Sequence, residues 1–432
     1  MDSIWQEFPM PRFDPLDGNI RTDVLIIGGG MAGLLCAHQL QMAGIRCVVA
    51  QASRITEGVT AHTTAKLTSQ HGLIYHKLAR KNGIGAAGLY LQANEQALES
   101  FRLMSRDMDC DYTEQDHHVY SLRSRKLLDA EMDVLNTLDF PARFQETTCL
   151  PFPTLGAVVF PRQAQFHPRK FLAALAPKLQ IYENTPVEQL TRQGAITPRG
   201  TIQAEKIIVA THFPFLNRHG SYFMKLYQHR SYVLSLADGG FEGMYLDEQQ
   251  NGLSFRSYGS TLLLGGCGHR TGKLGGGWQS LEAFSREYYP DCKITHRWAT
   301  QDCMTLDGMP YVGQYSAFTP NLYVATGFNK WGMTGSMVAA QLLTDHLSGK
   351  DNPAWSLFSP SRNMLHPQLA INLLESAANL LTPTLPRCPH LGCALKWNKQ
   401  EHSWDCPCHG SRFDEEGNCL DNPATRDLKK RP

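Results

Sequence analysis

The sequence has almost no charge of one sign to spare: 41 Lys and Arg stand against 40 Asp and Glu, a formal net charge of +1. That balance offers no grip on a polyanion, so nucleic acid is not an expected partner. No stretch approaches the ~20 consecutive apolar residues that cross a bilayer, so no transmembrane segment is expected. The opening MDSIWQEFPMPRFDP has acids and prolines where a secretory signal needs a basic start and an apolar run, and a cytoplasmic location is expected. Charged residues are only 19% of the chain, too few for bulk disorder, whereas 42% hydrophobic residues suffice for a packed interior. A length of 432 residues exceeds what one core usually organises, which predicts two or three domains. Cysteine is sparse over most of the chain: Cys36, Cys47, Cys110, Cys149, Cys267, Cys292 and Cys303 stand singly and read as small core residues. Cys388, Cys393, Cys406, Cys408 and Cys419 then crowd together, and that clustering needs a local cause.

Near the other end, Asp23 to Ile27 (DVLII) reads as a buried parallel strand. Gly28, Gly29, Gly30, Met31, Ala32 and Gly33 follow, and then LLCAHQLQMAG at helical spacing. Strand, G-x-G-x-x-G and helix together form a pyrophosphate-binding turn. Gly28 allows the turn, Gly30 lets backbone approach phosphate, Gly33 lets helix and strand pack, and the helix N-terminus supplies a positive dipole. Ile45 to Ala50 is the next strand; the carboxylate that usually meets the adenosine ribose at its end is replaced by Gln51, followed by Ala52. A second glycine cluster, LLLGGCGHRTG (Leu262 to Gly272), is followed by KLGGGW with no helical period. It is therefore not expected to bind a second nucleotide.

With these features the chain resembles the FAD-dependent oxidoreductases of the glycine/D-amino-acid oxidase family over roughly residues 20–350. EGVTAHTTAKLTSQHG (Glu57 to Gly72) corresponds to that family's flavin-contacting loop, and AEKIIVATHFPF (Ala204 to Phe215) to the strand returning under the nucleotide. LDGMPYVGQYS and LYVATGFNKWGMTGSMVAAQLL (Leu306 to Leu343) correspond to its closing flavin segment. The resemblance implies FAD, with Thr60, His62, Thr63, Val187, Thr211, Gly327, Gly332, Met333 and Thr334 beside it. His62 stands in a T-x-H setting like that of relatives whose histidine is covalently joined to the flavin; a noncovalent neighbour of the ring is the other reading. Thr334 stands where a helix starting near Gly335 would be capped. The family often holds a substrate carboxylate with arginine, but Gln301 and Asp302 occupy that stretch here, which puts an amino-acid substrate in doubt. Lys330, His62 and Arg256 are the candidate catalytic residues.

The cysteine cluster reads CPHLGCALKWNKQEHSWDCPCHGS (Cys388 to Ser411). Cys388 with His390, and Cys406 with His409, each offer a thiolate and an imidazole, a set that suits zinc as well as iron–sulfur. The additional cysteines make C-x-H-x-x-C and C-x-C-H-G-S resemble the two boxes of a Rieske [2Fe-2S] domain. That resemblance implies Cys388 and Cys406 on one iron and His390 and His409 on the other, with a potential of about −150 to +300 mV. It also implies a Cys393–Cys408 disulfide clamping the loops. The strands that usually precede the first box are absent; the helical pattern MLHPQLAINLLESAANLL stands there and reads as a packing element of the linker.

The expected fold class is α/β: a Rossmann-like FAD-binding domain with a mixed β-sheet substrate domain, followed by a small all-β Rieske domain. The oxidoreductase domain is placed at 1–350, with FAD-binding segments near 20–75, 165–215 and 300–350 and substrate-domain segments near 76–164 and 216–299. A linker with a helix spans 351–386, and the abbreviated Rieske domain 387–432. Flavin accepts electron pairs and the cluster carries single electrons. The expected function is a dehydrogenase-type flavoenzyme that takes hydride from a small organic substrate, such as an amine or amino acid, and passes electrons through the cluster to a one-electron carrier. A ferredoxin or a quinone-linked acceptor would suit. The alternatives are an NAD(P)H-dependent Rieske-type ferredoxin reductase and a non-enzymatic redox sensor or electron shuttle; either direction of electron flow fits the sequence.

Overall fold

The computed structural model describes residues 3–217, 219–383 and 386–428, so positions 429–432 of the expected Rieske module lie outside the described residues. The apolar run predicted as a strand forms Ile20–Ile27, and it lies at the centre of a parallel sheet. Gly200–Val209 pairs with it on one side and Cys47–Ala50 on the other, with Ile27 level with both Val209 and Ala50. Leu322–Thr326 continues the parallel set beyond Gly200–Val209. The three strand ends Ile27, Val209 and Thr326 thus come to one edge, where an open α/β sheet places its ligand.

Two glycines make the turn after Ile27 possible. Gly28 has φ of +114°, and a Cβ there would stand 2.5 Å from the Ala210 carbonyl oxygen; a Cβ on Gly33 would meet the Gly28 carbonyl oxygen at 1.8 Å. The helix Met31–Met42 follows with Gly30 as its N-cap and no side-chain cap on that residue, which leaves its first N–H groups without intrahelical partners; that of Met31 is taken by Thr60 Oγ1. Helix Gly332–Leu347 packs against it. The expectation that Thr334 caps a helix near Gly335 is corrected: the helix begins a turn earlier, and Thr334 lies inside it with its hydroxyl donating to the Thr68 carbonyl (2.9 Å).

A second, nine-stranded sheet is mixed, and it is built largely from antiparallel pairs. Leu226–Leu236 pairs antiparallel with both Thr261–Arg270 and Ile294–Thr305. The glycine cluster from Leu262 to Gly272 therefore lies in and just beyond a central antiparallel strand, and it is not a nucleotide turn. The cysteine-rich segment forms a separate four-stranded antiparallel sheet of Lys396–Asn398, Ser403–Asp405, Arg412–Phe413 and Cys419–Asp421.

Between the two units runs the helix Pro367–Leu381. It does pack, but through its polar side: Asn372 and Asn379 are buried, whereas Leu373, Leu374, Leu380 and Leu381 are exposed. Asn372 accepts from Arg270 (2.9 Å) and donates to the Met224 carbonyl (3.1 Å), and Lys273 pairs with Glu375 (2.8 Å). No helix among the described residues is long and apolar enough to cross a membrane.

Candidate functional site: a dinucleotide cavity walled by the cysteine module

A cavity of about 1830 Å³ opens at the ends of the parallel strands. Its size exceeds the roughly 300–1,000 Å³ of a site for one drug-sized ligand, which leaves room for a dinucleotide and a substrate together. Gly28, Gly30, Met31 and Ala32 line it at the glycine turn, Gln51 and Ala52 at the end of the second strand, and Thr60 and Thr63 on the loop beyond. Val187, Thr211, Lys330, Gly332 and Met333 complete the predicted residues that reach it. The turn is held from outside: the Met31 N–H donates to Thr60 Oγ1 (3.1 Å) and the Gly29 N–H to Gln51 Oε1 (2.7 Å). Gln51 thus accepts from the turn itself in the place where a carboxylate was expected to meet ribose.

The remaining predicted residues lie elsewhere. Gly33 packs the helix onto the turn, Gly327 packs beside Thr305 and Leu226, and Thr334 joins a buried network in which His71 Nε2 lies 3.0 Å from Thr334 Oγ1. His62 is not among the residues lining the cavity; its Nδ1 lies 3.0 Å from the Gly58 carbonyl oxygen. Arg256 is corrected as a catalytic candidate. It is fully buried away from the cavity, donating to Gln165 Oε1 (2.9 Å), the Phe166 carbonyl (3.1 Å) and the Thr64 carbonyl, so every edge of its guanidinium is engaged.

Lys66 and Asp302 also face the cavity. Lys66 donates to the Tyr245 carbonyl (3.0 Å) and Ser254 Oγ (2.9 Å), and burial, followed by nearby Arg256, brings its ammonium down to about 7. Burial lifts the Asp302 carboxyl to about 6 against the pull of Lys330 and Arg230. Lys330 donates to the Gln250 carbonyl (3.0 Å), and burial holds it below its ordinary value. A cation and an acid therefore share one wall, on two segments far apart in sequence.

The cysteine module is seated against that cavity. Its two loops are built alike: the Gly392 N–H donates to the Cys388 carbonyl and the Gly410 N–H to the Cys406 carbonyl, both at 2.9 Å. Gly392 has φ of +79° and Gly410 of +83°, conformations that favour glycine. The His390 and His409 rings lie 4.9 Å apart. Both nitrogens of His409 and Nδ1 of His390 are buried with no partner in the protein. Burial lowers His390 to about 4 and His409 to about 3, which keeps them neutral, the form that binds metal. Cys388 and Cys406 are both buried, and the sulfurs of Cys393, Cys406 and Cys408 lie within 4.8 Å of one another. The residues therefore fit an iron–sulfur cluster: orphaned neutral imidazoles face grouped sulfurs. The expected Cys393–Cys408 disulfide is corrected, since both are free thiols. Their sulfurs are instead grouped with that of Cys406, all three within 4.8 Å of one another.

Sequence reasoning missed the ties that seat this module. Asn422 donates to the Thr211 (2.5 Å) and Phe213 (3.0 Å) carbonyls, Gln301 to the Gly410 carbonyl (2.9 Å), and Arg270 to the Pro407 (3.1 Å) and Cys408 (3.2 Å) carbonyls. Asn217 Oδ1 stands 2.8 Å from His390 Nε2. The Phe213 ring lies 6.3 Å from both imidazoles. Asp421, Asn422, Ala424 and Arg426 of the module line the cavity along with His212 and Thr211. No short motif marks these contacts, since each joins positions a hundred or more residues apart.

The family model described as FAD dependent oxidoreductase matches residues 23–346, and that of the Rieske [2Fe-2S] domain residues 371–432. YhfW of Bacillus subtilis (strain 168), named for a Rieske 2Fe-2S iron-sulfur protein, is 33% identical over 98% of this chain and 95% of its own length. Cytochrome b6-f complex iron-sulfur subunit 2 of Trichormus variabilis is 50% identical over 42 residues, 10% of this chain and 24% of that protein. Among solved structures, L-proline dehydrogenase from P. horikoshii is similar at a TM-score of 0.67 and 15% identity, over 80% of this chain and 98% of that one. Glycine oxidase from Geobacillus kaustophilus reaches 0.65 at 20% identity, over 80% and 99%; these two likenesses concern the fold. A dinucleotide cavity at the head of a parallel sheet, walled by a module of paired Cys and His loops, is what those two family matches describe in sequence, and the chain belongs to the FAD-dependent oxidoreductase family and carries a Rieske [2Fe-2S] domain.

Proposed function

We propose that the protein is a dehydrogenase-type flavoenzyme that oxidises a small organic substrate of amine or amino-acid class and delivers the electrons singly to an external one-electron carrier. When bound, FAD supplies acceptance of a hydride and the Rieske cluster supplies one-electron transfer. The observation that carries this reading is the shared wall: Thr211 and His212 line the cavity, and Phe213, next in sequence, stands against both His390 and His409. A module seated there by Asn422 and Arg270 gives electrons a short path out of the cavity.

In this reading the pyrophosphate lies against Gly28, Gly30, Met31 and Ala32 and meets the N–H groups of Gly30 and Ala32, since those of Gly28 and Met31 are taken by the Ala50 carbonyl and Thr60 Oγ1. Gln51, Ala52, Val187 and Thr211 flank the nucleotide, Thr60 and Thr63 the adjoining loop, and Gly332 and Met333 the isoalloxazine end. Gly33, Gly327 and Thr334 act through packing. Cys388 and Cys406 hold one iron and His390 and His409 the other. Lys330 and Asp302 orient the substrate, and His62 remains outside the reacting atoms, bonded to Gly58.

The test is anaerobic. Holoprotein is mixed with amines and amino acids, L-proline and glycine included, while visible absorbance and EPR are followed. Flavin bleaching followed by a [2Fe-2S] signal with average g below 2 is expected. Rapid reduction of both centres by NADH alone would overturn this reading in favour of the reductase, and an absence of bleaching at catalytic rates by any organic donor would favour the shuttle.

A further inference from the structure

The helix Pro367–Leu381 is inside out relative to an ordinary surface helix. Gln368, Asn372, Glu375 and Asn379 follow one another at helical spacing on the protein side, tied to Arg270, Lys273 and the Met224 carbonyl. The opposite side presents Ile371, Leu373, Leu374, Leu380 and Leu381, the last two leucines of larger exposure being Leu374 at 71% and Leu381 at 84%. The patch continues onto the first cluster loop. Arg387 donates to the Leu380 carbonyl (3.0 Å), the Ala394 N–H to the Asn379 carbonyl (3.0 Å), and Leu391, beside His390, is exposed.

From these exposures, the six apolar side chains and the alanines between them present roughly 700 Å² to water, close to the about 800 Å² per partner of a standard-size interface. A monomer seldom leaves so large an apolar patch uncovered. The chemistry of the patch also selects its occupant. Glu375 is the one charged residue from Pro367 to Leu381, and it is spent on Lys273. Helices that lie on membranes carry Lys and Arg on their polar side, whereas this polar side is turned into the protein. Transient electron carriers are steered by charge to small surfaces, and this one is neutral and large. A neutral apolar face of this size suits a permanent contact, and homodimer interfaces are the more apolar class. An isologous pairing brings the same face from both copies.

We propose that the Pro367–Leu381 helix, together with Leu391, is the contact of a two-fold dimer, with the second copy of this chain covering the leucine face. In such a dimer each cluster loop is shielded on its Leu391 side by the partner copy, while the Phe213 side remains within the subunit. The test uses the holoprotein with both cofactors. Sedimentation velocity and light scattering over about 0.5–50 µM, the range that brackets a dimer of micromolar or tighter affinity, are expected to return a dimer. The doubly substituted Leu374→Glu, Leu381→Glu protein, each residue already exposed, is expected to keep its flavin and cluster absorbance and to weaken the dimer by at least on the order of 100-fold, as for charges placed in an interface centre. A wild-type monomer throughout that range overturns the proposal. So does a variant that dimerises as well as wild type. A monomer that floats with phosphatidylcholine–phosphatidylglycerol vesicles would assign the face to a membrane surface.

Discussion

The flavoprotein body and the Rieske module are held together by different means. The largest apolar core of the body joins the helices Met31–Met42 and Gly332–Leu347 to both large sheets through dozens of aliphatic and aromatic residues. Among the described residues, the core of the module contains seven buried hydrophobic residues, four of them the cysteines Cys388, Cys393, Cys406 and Cys408. What the module lacks in apolar burial it has in buried charge: Arg412 pairs with Glu401 (2.8 Å), Asp405 (3.0 Å) and Asp421 (3.0 Å), and Arg230 of the body reaches Glu401 as well. The body therefore rests chiefly on apolar burial, whereas the module has little of it and rests on its ion network and the surface it sits on, and its metal, when bound, would add a further tie.

The sharpest way to break that comparison is to remove the metal's ligands. Cys406→Ser is expected to abolish the [2Fe-2S] EPR signal and to leave flavin content unchanged, as judged by visible absorbance. Cys393→Ser is expected to keep the signal; its loss would place Cys393 in the ligand set along with the other close sulfurs. Next in size is Arg412→Met, which leaves the buried Asp405 and the half-buried Asp421 without a cation and is expected to cost about 3–5 kcal/mol. Cluster bleaching on heating should move to lower temperature while flavin release stays where it was.

Asn422→Ala removes both hydrogen bonds to the Thr211 and Phe213 carbonyls. A loss of about 1–3 kcal/mol in seating the module is expected, with slower flavin-to-cluster electron transfer in anaerobic stopped-flow. The effect in the body is the smallest per pH unit and accumulates over the titration range. Lys66 loses its proton near 7 in the fold and near 10.5 when unfolded, so between those values the unfolded chain binds more protons and stability rises with pH. The slope is up to about 1.4 kcal/mol per pH unit. Lys66→Met should flatten that rise in denaturant titrations from pH 7 to 10.

The same contrast explains what could be read from sequence. The glycine turn and the paired Cys–His loops are local devices, complete within a few residues, and both stand where they were expected. The absence of a nucleotide turn in Leu262–Gly272 was likewise legible, from the missing helical period after it. Arg256 stood out by its place in the substrate-domain strand segment LSFRSYG, which does not reveal the three carbonyl-type acceptors that use it up. The helix Pro367–Leu381 packs, as read from the sequence, but the side through which it packs was not legible, for a related reason. Its periodicity separates an apolar side from a polar one, but which side turns inward was decided by Arg270, Lys273 and the Met224 carbonyl, far away in the chain. Neither the seat of the module nor the joint acid–cation wall of Asp302 and Lys330 leaves a pattern within one segment.

The wall that Asn422 contributes to the dinucleotide cavity sets an order of events during synthesis. Asn422 and Thr211, which it holds, are 211 positions apart, so at about 5–20 residues per second a ribosome makes one some 10–40 s after the other. Through that interval the segments that line the cavity are made one after another, while the wall of Asp421, Asn422 and Arg426 is still missing. The Rieske module is thus the last part of the chain to be added to the cavity.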